Sequence, residues 1–273
     1  MPGPLVEVAD GIHVATSAVY ATTSSVVVGG DGSCLLVDPS VTAREVAELS
    51  SAVRDRGWSP LAVWSTHDHW DHALDGPGLR DLPRWAAWVQ RPSWVSAARA
   101  DRDGDEELAS YVRTHPGERG ADLVDAPPAP PPLTDAAGPP GWVGVDWAGR
   151  RVLVLVHDAH AVGHSALHVP DVGALLAGDL LSDVEIPLLD TDATDPVGDY
   201  LATLDRIAAL DDVRVVVPGH GAVGDAAELA RRLAADRRYL ERLVSEGATA
   251  QDPRLTTPWL VHAHHQQAAA IAR

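Results

Sequence analysis

LAVWSTHDHWDH, residues 61–72, is the stretch on which the reading of this chain turns. Its opening, LAVWSTH (61–67), reads as a buried strand that ends in polar residues. Directly behind it, His67, Asp68, His69, Asp71 and His72 crowd three imidazoles and two carboxylates into six positions. These are the donors that borderline cations such as zinc prefer. His67 and His69 are two apart, so an extended chain points both the same way. Asp71 and His72 follow in a turn or helix start and can face a second point close by. Asp68 and Trp70 then face the opposite way, which excludes Asp68 as a ligand. A solvated polar loop is the competing reading, and five ligand-type residues behind a buried strand argue against it. Loops held at strand ends are also where catalytic groups concentrate.

Working outward, the first third alternates short strands and turns: 5–8, 12–15, 23–30 and 33–40, an antiparallel meander. A helix is predicted over 42–56, with Val46, Leu49 and Val53 at helical spacing and Gly57 as its stop. Residues 90–118 read as helical, inside a helical insertion at about 84–120. The Pro-rich run 126–141 reads as a surface connection without regular structure. Strands follow at 142–147, 151–156, 166–169 and 173–177, a helix at 197–210, a strand at 213–218 and a long helix at 224–246, opening a C-terminal helical segment, 224–273. The fold class is α/β, with two packed mixed sheets and outer helices, and residues 1–273 read as one domain. Three further ligand types sit just behind apolar strands and each follows a glycine: His164 in HAVGHS, Asp179 in LLAGD and His220 in PGHG.

The chain has 273 residues and a net charge of −18, with no lysine. Such a field repels nucleic acid phosphates and anionic membranes. No apolar run approaches the ~20 residues that a membrane span needs, and the N-terminus lacks the basic start and apolar core of a signal peptide. The cytoplasm is the expected location and a small molecule the expected partner. Nothing in the sequence addresses oligomeric state. Cys34, the single cysteine, lies in the apolar run SCLLV and reads as a small buried hydrophobe.

The ordered set H-x-H-x-D-H, G-H-S, G-D and P-G-H-G, spanning residues 67–220, resembles the metallo-β-lactamase superfamily of hydrolases. The resemblance implies a four-layered αβ/βα sandwich with the site at one edge. It implies two divalent metal ions, zinc first, with manganese and iron accepting the same donors. His67, His69 and His164 would hold the first, Asp71, His72 and His220 the second, and Asp179 would bridge them. Asp38, ending the strand CLLVD, sits where the superfamily places a supporting aspartate, and His160 is a candidate for hydrogen bonding behind the ligands. A metal-bridging hydroxide would attack the substrate, with Asp71 orienting it and passing a proton to the leaving group.

An aspartate at 179, where many β-lactamases of the superfamily carry cysteine, resembles the glyoxalase II and lactonase branch. The absence of lysine removes the usual partner of an antibiotic carboxylate. The implied function is hydrolysis of a small carbonyl ester, thioester or lactone. The alternatives are a mononuclear iron oxidoreductase of the persulfide dioxygenase type or a phosphodiesterase, with a β-lactamase or a non-catalytic binding module behind them. The loop 182–195 and the helical insertion are expected to line the pocket, with Trp70, Asp183 and Trp259 against the substrate and Trp94 a further candidate wall. His262, His264 and His265 form a histidine cluster that the two-metal site does not need.

Overall fold

Buried strands in this chain are apolar on both faces, which marks sheets covered on both sides. In Ser33–Val37, Cys34 and Leu36 pack with one group of residues and Leu35 and Val37 with another. Period-two alternation sends successive side chains to opposite faces, so one strand feeds two cores.

The computed structural model describes residues 4–39, 41–88, 93–126, 128–135 and 138–272. The elements in chain order are β1 (Val6–Ala9), β2 (Ile12–Thr16), β3 (Thr23–Val28), β4 (Ser33–Val37), α1 (Ala43–Asp55) and β5 (Ser59–Trp64). A 3₁₀ turn, Trp70–His72, leads to β6 (Leu74–Asp75), β7 (Arg84–Trp85), α2 (Trp94–Asp103), α3 (Glu106–Thr114), β8 (Asp122–Leu123) and β9 (Leu133–Thr134). Then come β10 (Trp142–Val145), β11 (Leu153–His157), β12 (His164–Val169), β13 (Ala174–Gly178), α4 (Pro196–Ala208), β14 (Val215–Pro218), β15 (Gly224–Asp225), α5 (Ala226–Glu246) and α6 (Pro258–Ile271).

The first sheet has the order β1-β2-β3-β4-β5-β7 and the second β15-β14-β13-β12-β11-β10-β9. Ile12, Leu35 and Trp64 from one sheet and Val154, Leu167 and Leu176 from the other share the central core. Val46, Leu49 and Val53 of α1 cover the outer face of the first sheet. Leu204 and Ile207 of α4 and Leu229, Leu240 and Leu243 of α5 cover the outer face of the second. The layers therefore run helix, sheet, sheet, helix, which is the expected four-layered sandwich.

α1 begins one residue after Thr42, whose side chain accepts from the Glu45 N–H while Glu45 accepts from the Thr42 N–H, a reciprocal cap. Four details differ from expectation. Helix α5 starts at Ala226 because the Asp225 side chain caps it by accepting from the Glu228 N–H, and Gly224–Asp225 pair with β14 instead. The span 90–118 breaks into α2 and α3 at Gly104, with residues 90–92 outside the described set. The Pro-rich run contributes a short strand, β9, at the sheet edge; its two residues are the non-proline pair Leu133-Thr134, and an edge tolerates neighbouring prolines. Residues 127, 136 and 137 of that run lie outside the described residues. Strand β12 starts at His164, two residues earlier than the predicted 166, which bears on the site below. Cys34 is fully buried and its thiol is pushed up to about 12 by burial, as its apolar setting predicts. Among the described residues no helix is long and apolar enough to cross a membrane.

Candidate metal centre

Both sheets contain parallel strands: β4 with β5 and β5 with β7 in the first, and β13 with β14 in the second. The residues that follow these four strands are Asp38, the His67–His72 segment, Asp179 and His220. The two sheets meet at this edge, where the Thr23 N–H donates to the Gly219 carbonyl at 2.7 Å. Strand ends from both halves of the chain therefore deliver their polar residues to one place.

Two groups of donor atoms gather there. His67, His69, His160 and Asp179 form one, and Asp71, His72 and His220 the other; within each the ligand-type atoms lie within 4.8 Å of one another. Asp179 stands between them. Its Oδ2 lies 3.3 Å from Nε2 of His67, 3.5 Å from Nε2 of His160 and 3.2 Å from Nε2 of His220, and its Oδ1 lies 3.2 Å from Nε2 of His72. Asp71 Oδ2 lies 3.4 Å from Nε2 of His220 and 3.5 Å from Nε2 of His72.

The far nitrogen of most of these rings is pinned, which decides the tautomer. His160 Nδ1–H donates to the Leu188 carbonyl at 2.8 Å, and His220 Nδ1–H to the Tyr20 carbonyl at 3.1 Å. Thr66 Oγ1–H donates to Asp38 Oδ2 at 2.7 Å, so it accepts from His67 Nδ1 at 3.0 Å. His72 Nδ1 lies 3.0 Å from Asp38 Oδ2. In every case Nε2 is turned into the cluster. Asp38 also accepts the Thr66 N–H at 2.8 Å. It holds a left-handed backbone, φ +49°.

Charges follow the same map. Burial lowers His67 well below the usual imidazole range and takes His160 down to about 4. At His72 and His220 burial acts in the same sense, but the carboxylates of Asp179 and its neighbours outweigh it, raising His72 and taking His220 up to about 10. Burial would raise Asp71 and Asp179, and the surrounding imidazoles reverse this and hold both ionised. Nε2 of His67 and Oδ1 of Asp179 are buried with no hydrogen-bond partner. Lone pairs that face one another across 3 Å repel unless something positive lies between them. The donor set thus fits divalent cations.

The structure departs from the sequence reading at His164. Its position as first residue of β12 turns the ring towards the backbone, where Nε2 accepts the Asp179 N–H at 3.0 Å and Nδ1 faces Nε2 of His157 at 3.0 Å. That nitrogen is already used, and His164 lies outside both donor groups. His160, in the loop between β11 and β12 and expected only behind the ligands, stands in the donor group with His67, His69 and Asp179. The H-x-x-x-H spacing offers both His160 and His164 to the cluster.

A cavity of about 280 Å³ opens onto the cluster, walled by Tyr20, Trp70, Leu188 and Trp259 and rimmed by Asp101, Asp105 and Glu185. Trp70 and Trp259 are therefore placed where expected, although Trp70 also packs into the core of the first sheet. A neighbouring groove runs past Trp94 and Asp68 along α2. Trp94 Nε1–H donates to the Asp68 carbonyl at 2.7 Å. The 182–195 loop and the α2–α3 insertion do line these spaces. Asp183 does not: its Oδ1 accepts the Ala222 N–H at 2.8 Å and locks the turn after His220. The loop's contribution is Glu185 and Leu188 instead. Glu185 is buried, and desolvation pushes its carboxyl up to about 7. Tyr20, which no motif marked, reaches the cavity from the turn between β2 and β3, and its hydroxyl donates to Asp105 Oδ2 at 2.9 Å. His264 is in neither donor group and does not line the cavity; it is buried against the Tyr239 hydroxyl at 3.1 Å, while His262 and His265 are exposed.

A family model for the metallo-beta-lactamase superfamily matches residues 19–220. A hydroxyacylglutathione hydrolase of Ruegeria pomeroyi is 30% identical over 207 residues, which are 76% of this chain and 66% of that protein. Another protein of that name, from Roseobacter denitrificans, is 27% identical over 64% of this chain and 54% of its own length. The chain thus spans just under two thirds, and just over half, of these two relatives. Among solved structures, a beta-lactamase domain protein from Burkholderia ambifaria superposes with a TM-score of 0.63 at 20% identity, over 98% of this chain and 87% of that one. The family match covers every residue of the cluster, and on that ground this chain belongs to the metallo-beta-lactamase superfamily.

Proposed function

We propose that the chain is a metallo-hydrolase that holds two divalent cations and cleaves a small carbonyl thioester, ester or lactone. The observation that carries this is the Asp179 carboxylate, whose two oxygens reach Nε2 atoms of both donor groups at 3.2–3.5 Å. His67, His69 and His160 would hold one cation, Asp71, His72 and His220 the other, and Asp179 both. Zinc is the first cation to test, since imidazole and carboxylate suit it; manganese and iron take the same donors. The name shared by the two curated relatives points to a thioester.

Bound divalent cations supply an acidified water and polarise the scissile carbonyl. The chain's own groups do the rest. Asp38 and Thr66 hold His67 and His72 in orientation, and Leu188 and Tyr20 carbonyls hold His160 and His220. Asp71, ionised by the imidazoles around it, faces the cavity and is placed to orient the attacking water and carry its proton to the leaving group. Tyr20, Trp70 and Trp259 shield the reacting centre from bulk water.

The test is metal content by elemental analysis of protein purified without added metal, with a hydrolysis panel of thioesters, lactones, a phosphodiester and a chromogenic cephalosporin. Two metals per chain, with turnover of a thioester or lactone abolished by chelator and restored by zinc, are expected. One iron per chain with oxygen uptake, or no bound metal after dialysis against zinc, would overturn the reading.

A further inference from the structure

Apart from the histidines of the cluster, the ionisable side chains walling the cavity are acidic or Tyr20. Among the described residues that line it and the adjoining groove along α2, none is arginine, and the chain has no lysine. Beyond the cluster's own Asp71 and Asp179, the cavity is faced by Glu185, Asp101 and Asp105. Asp105 is engaged by the Tyr20 hydroxyl and by the Leu108 N–H. Glu185 is not engaged in this way. It is 7% exposed, and its carboxylate accepts no hydrogen bond among the described residues. Its nearest cationic atom is Nδ1 of His220 at 3.9 Å, whose N–H goes to the Tyr20 carbonyl. A carboxylate this buried, lining the cavity with no hydrogen-bond donor on it among the described residues, leaves room for a cationic partner. Beside it stand the aromatic faces of Tyr20 and Trp259, edge to face at 5.9 Å, and of Trp70. Aromatic faces with carboxylates and no competing cation form the chemistry that recognises substituted ammonium groups.

Resting on the hydrolase reading above, we propose that the substrate's non-reacting arm carries an ammonium group, held by Glu185 and Asp101 against the rings of Tyr20, Trp70 and Trp259. The cavity is then polar along its length. Its cluster end would hold the cations, which would attract the carbonyl oxygen there. Its acidic wall takes the cationic arm. A glutathione arm, with two carboxylates against one ammonium, is net anionic and is disfavoured at the same wall.

The experiment compares three thioesters on the zinc-loaded enzyme: acetylthiocholine, S-acetylmercaptoethanol and S-acetylthioglycolate. The expected order of kcat/KM is cationic, neutral, anionic, with about tenfold or more between the ends and a spread that narrows as salt is raised. In Glu185→Gln and in Asp101→Asn the ratio of cationic to neutral substrate falls about fivefold, through KM. Asp101 is exposed on α2, so its variant keeps the test readable if Glu185→Gln fails to fold. An anionic preference, or a ratio that neither variant moves, overturns the proposal. If none of the three is cleaved, the thioester reading is what fails. Tetramethylammonium binding to the zinc-loaded enzyme by ligand-observed NMR then decides the inference separately: saturable binding that weakens in Asp101→Asn supports it, and its absence overturns it.

Discussion

Nε2 of His164 accepts the backbone N–H of Asp179 at 3.0 Å. This bond ties the first residue of β12 to the residue that follows β13, and it fixes the backbone from which the central carboxylate of the cluster projects. In the structure, the ring of a histidine that the sequence offers as a ligand holds the backbone of Asp179.

His160→Ala and His164→Ala should therefore fail differently. The first removes a donor from the cluster, and metal content should drop with activity falling by at least about a hundredfold. The second leaves the Asp179 N–H buried and unsatisfied, at about 1–3 kcal/mol. It should lower the midpoint of chemical denaturation while the protein still takes up zinc. Elemental analysis and urea titration separate the two, and the reverse pattern would restore His164 as the ligand.

Asp38→Asn tests the support beneath the cluster. The carboxylate accepts from Thr66 N–H and Thr66 Oγ1–H and lies 3.0 Å from His72 Nδ1. An amide keeps the shape but turns an NH₂ towards one of these donors. Zinc affinity by competition with a chromophoric chelator should fall about 10–100-fold, with the fold retained by circular dichroism.

Gly178 and Gly219 have no room for a methyl group. A Cβ at Gly178 would stand 2.5 Å from His164 Nε2 on a backbone with φ +55°, and one at Gly219 would collide with Asp179 Oδ1. Gly178→Ala should cost about 2–4 kcal/mol, from overpacking and left-handed strain together. Gly219→Ala should lose metal first, because the atom displaced is a ligand oxygen. Denaturation curves and metal content check both.

Acid should destabilise the metal-free protein in part through His157. Burial, helped by His160 and Arg206, takes this imidazole from 6.5 down to about 3. Between those limits the unfolded chain binds a proton that the folded chain refuses, so stability is full above pH 6.5 and declines as pH falls. The group adds a slope of about 1.4 kcal/mol per pH unit over that window. Urea titrations of wild type and His157→Gln from pH 7 to 4.5 should converge as the pH drops. Parallel lines would refute the assignment.

Much of this molecule was legible in its residues. LAVWSTHDHWDH named one wall of the site because three imidazoles and two carboxylates behind a buried strand have few other uses. Asp38, Asp179 and His220 were legible for the same reason, each closing an apolar run. Two-sided apolar strands announced covered sheets, and the order of motifs announced the sandwich. What the sequence did not settle was the choice between His160 and His164, the role of Asp183, and the presence of Tyr20 and Glu185 in the cavity. Ligand type and strand position are local properties, written into composition and period. Which nitrogen faces a cavity depends on where a strand begins, what its neighbour's backbone donates and how a loop turns, and these are set only when the two sheets close on each other.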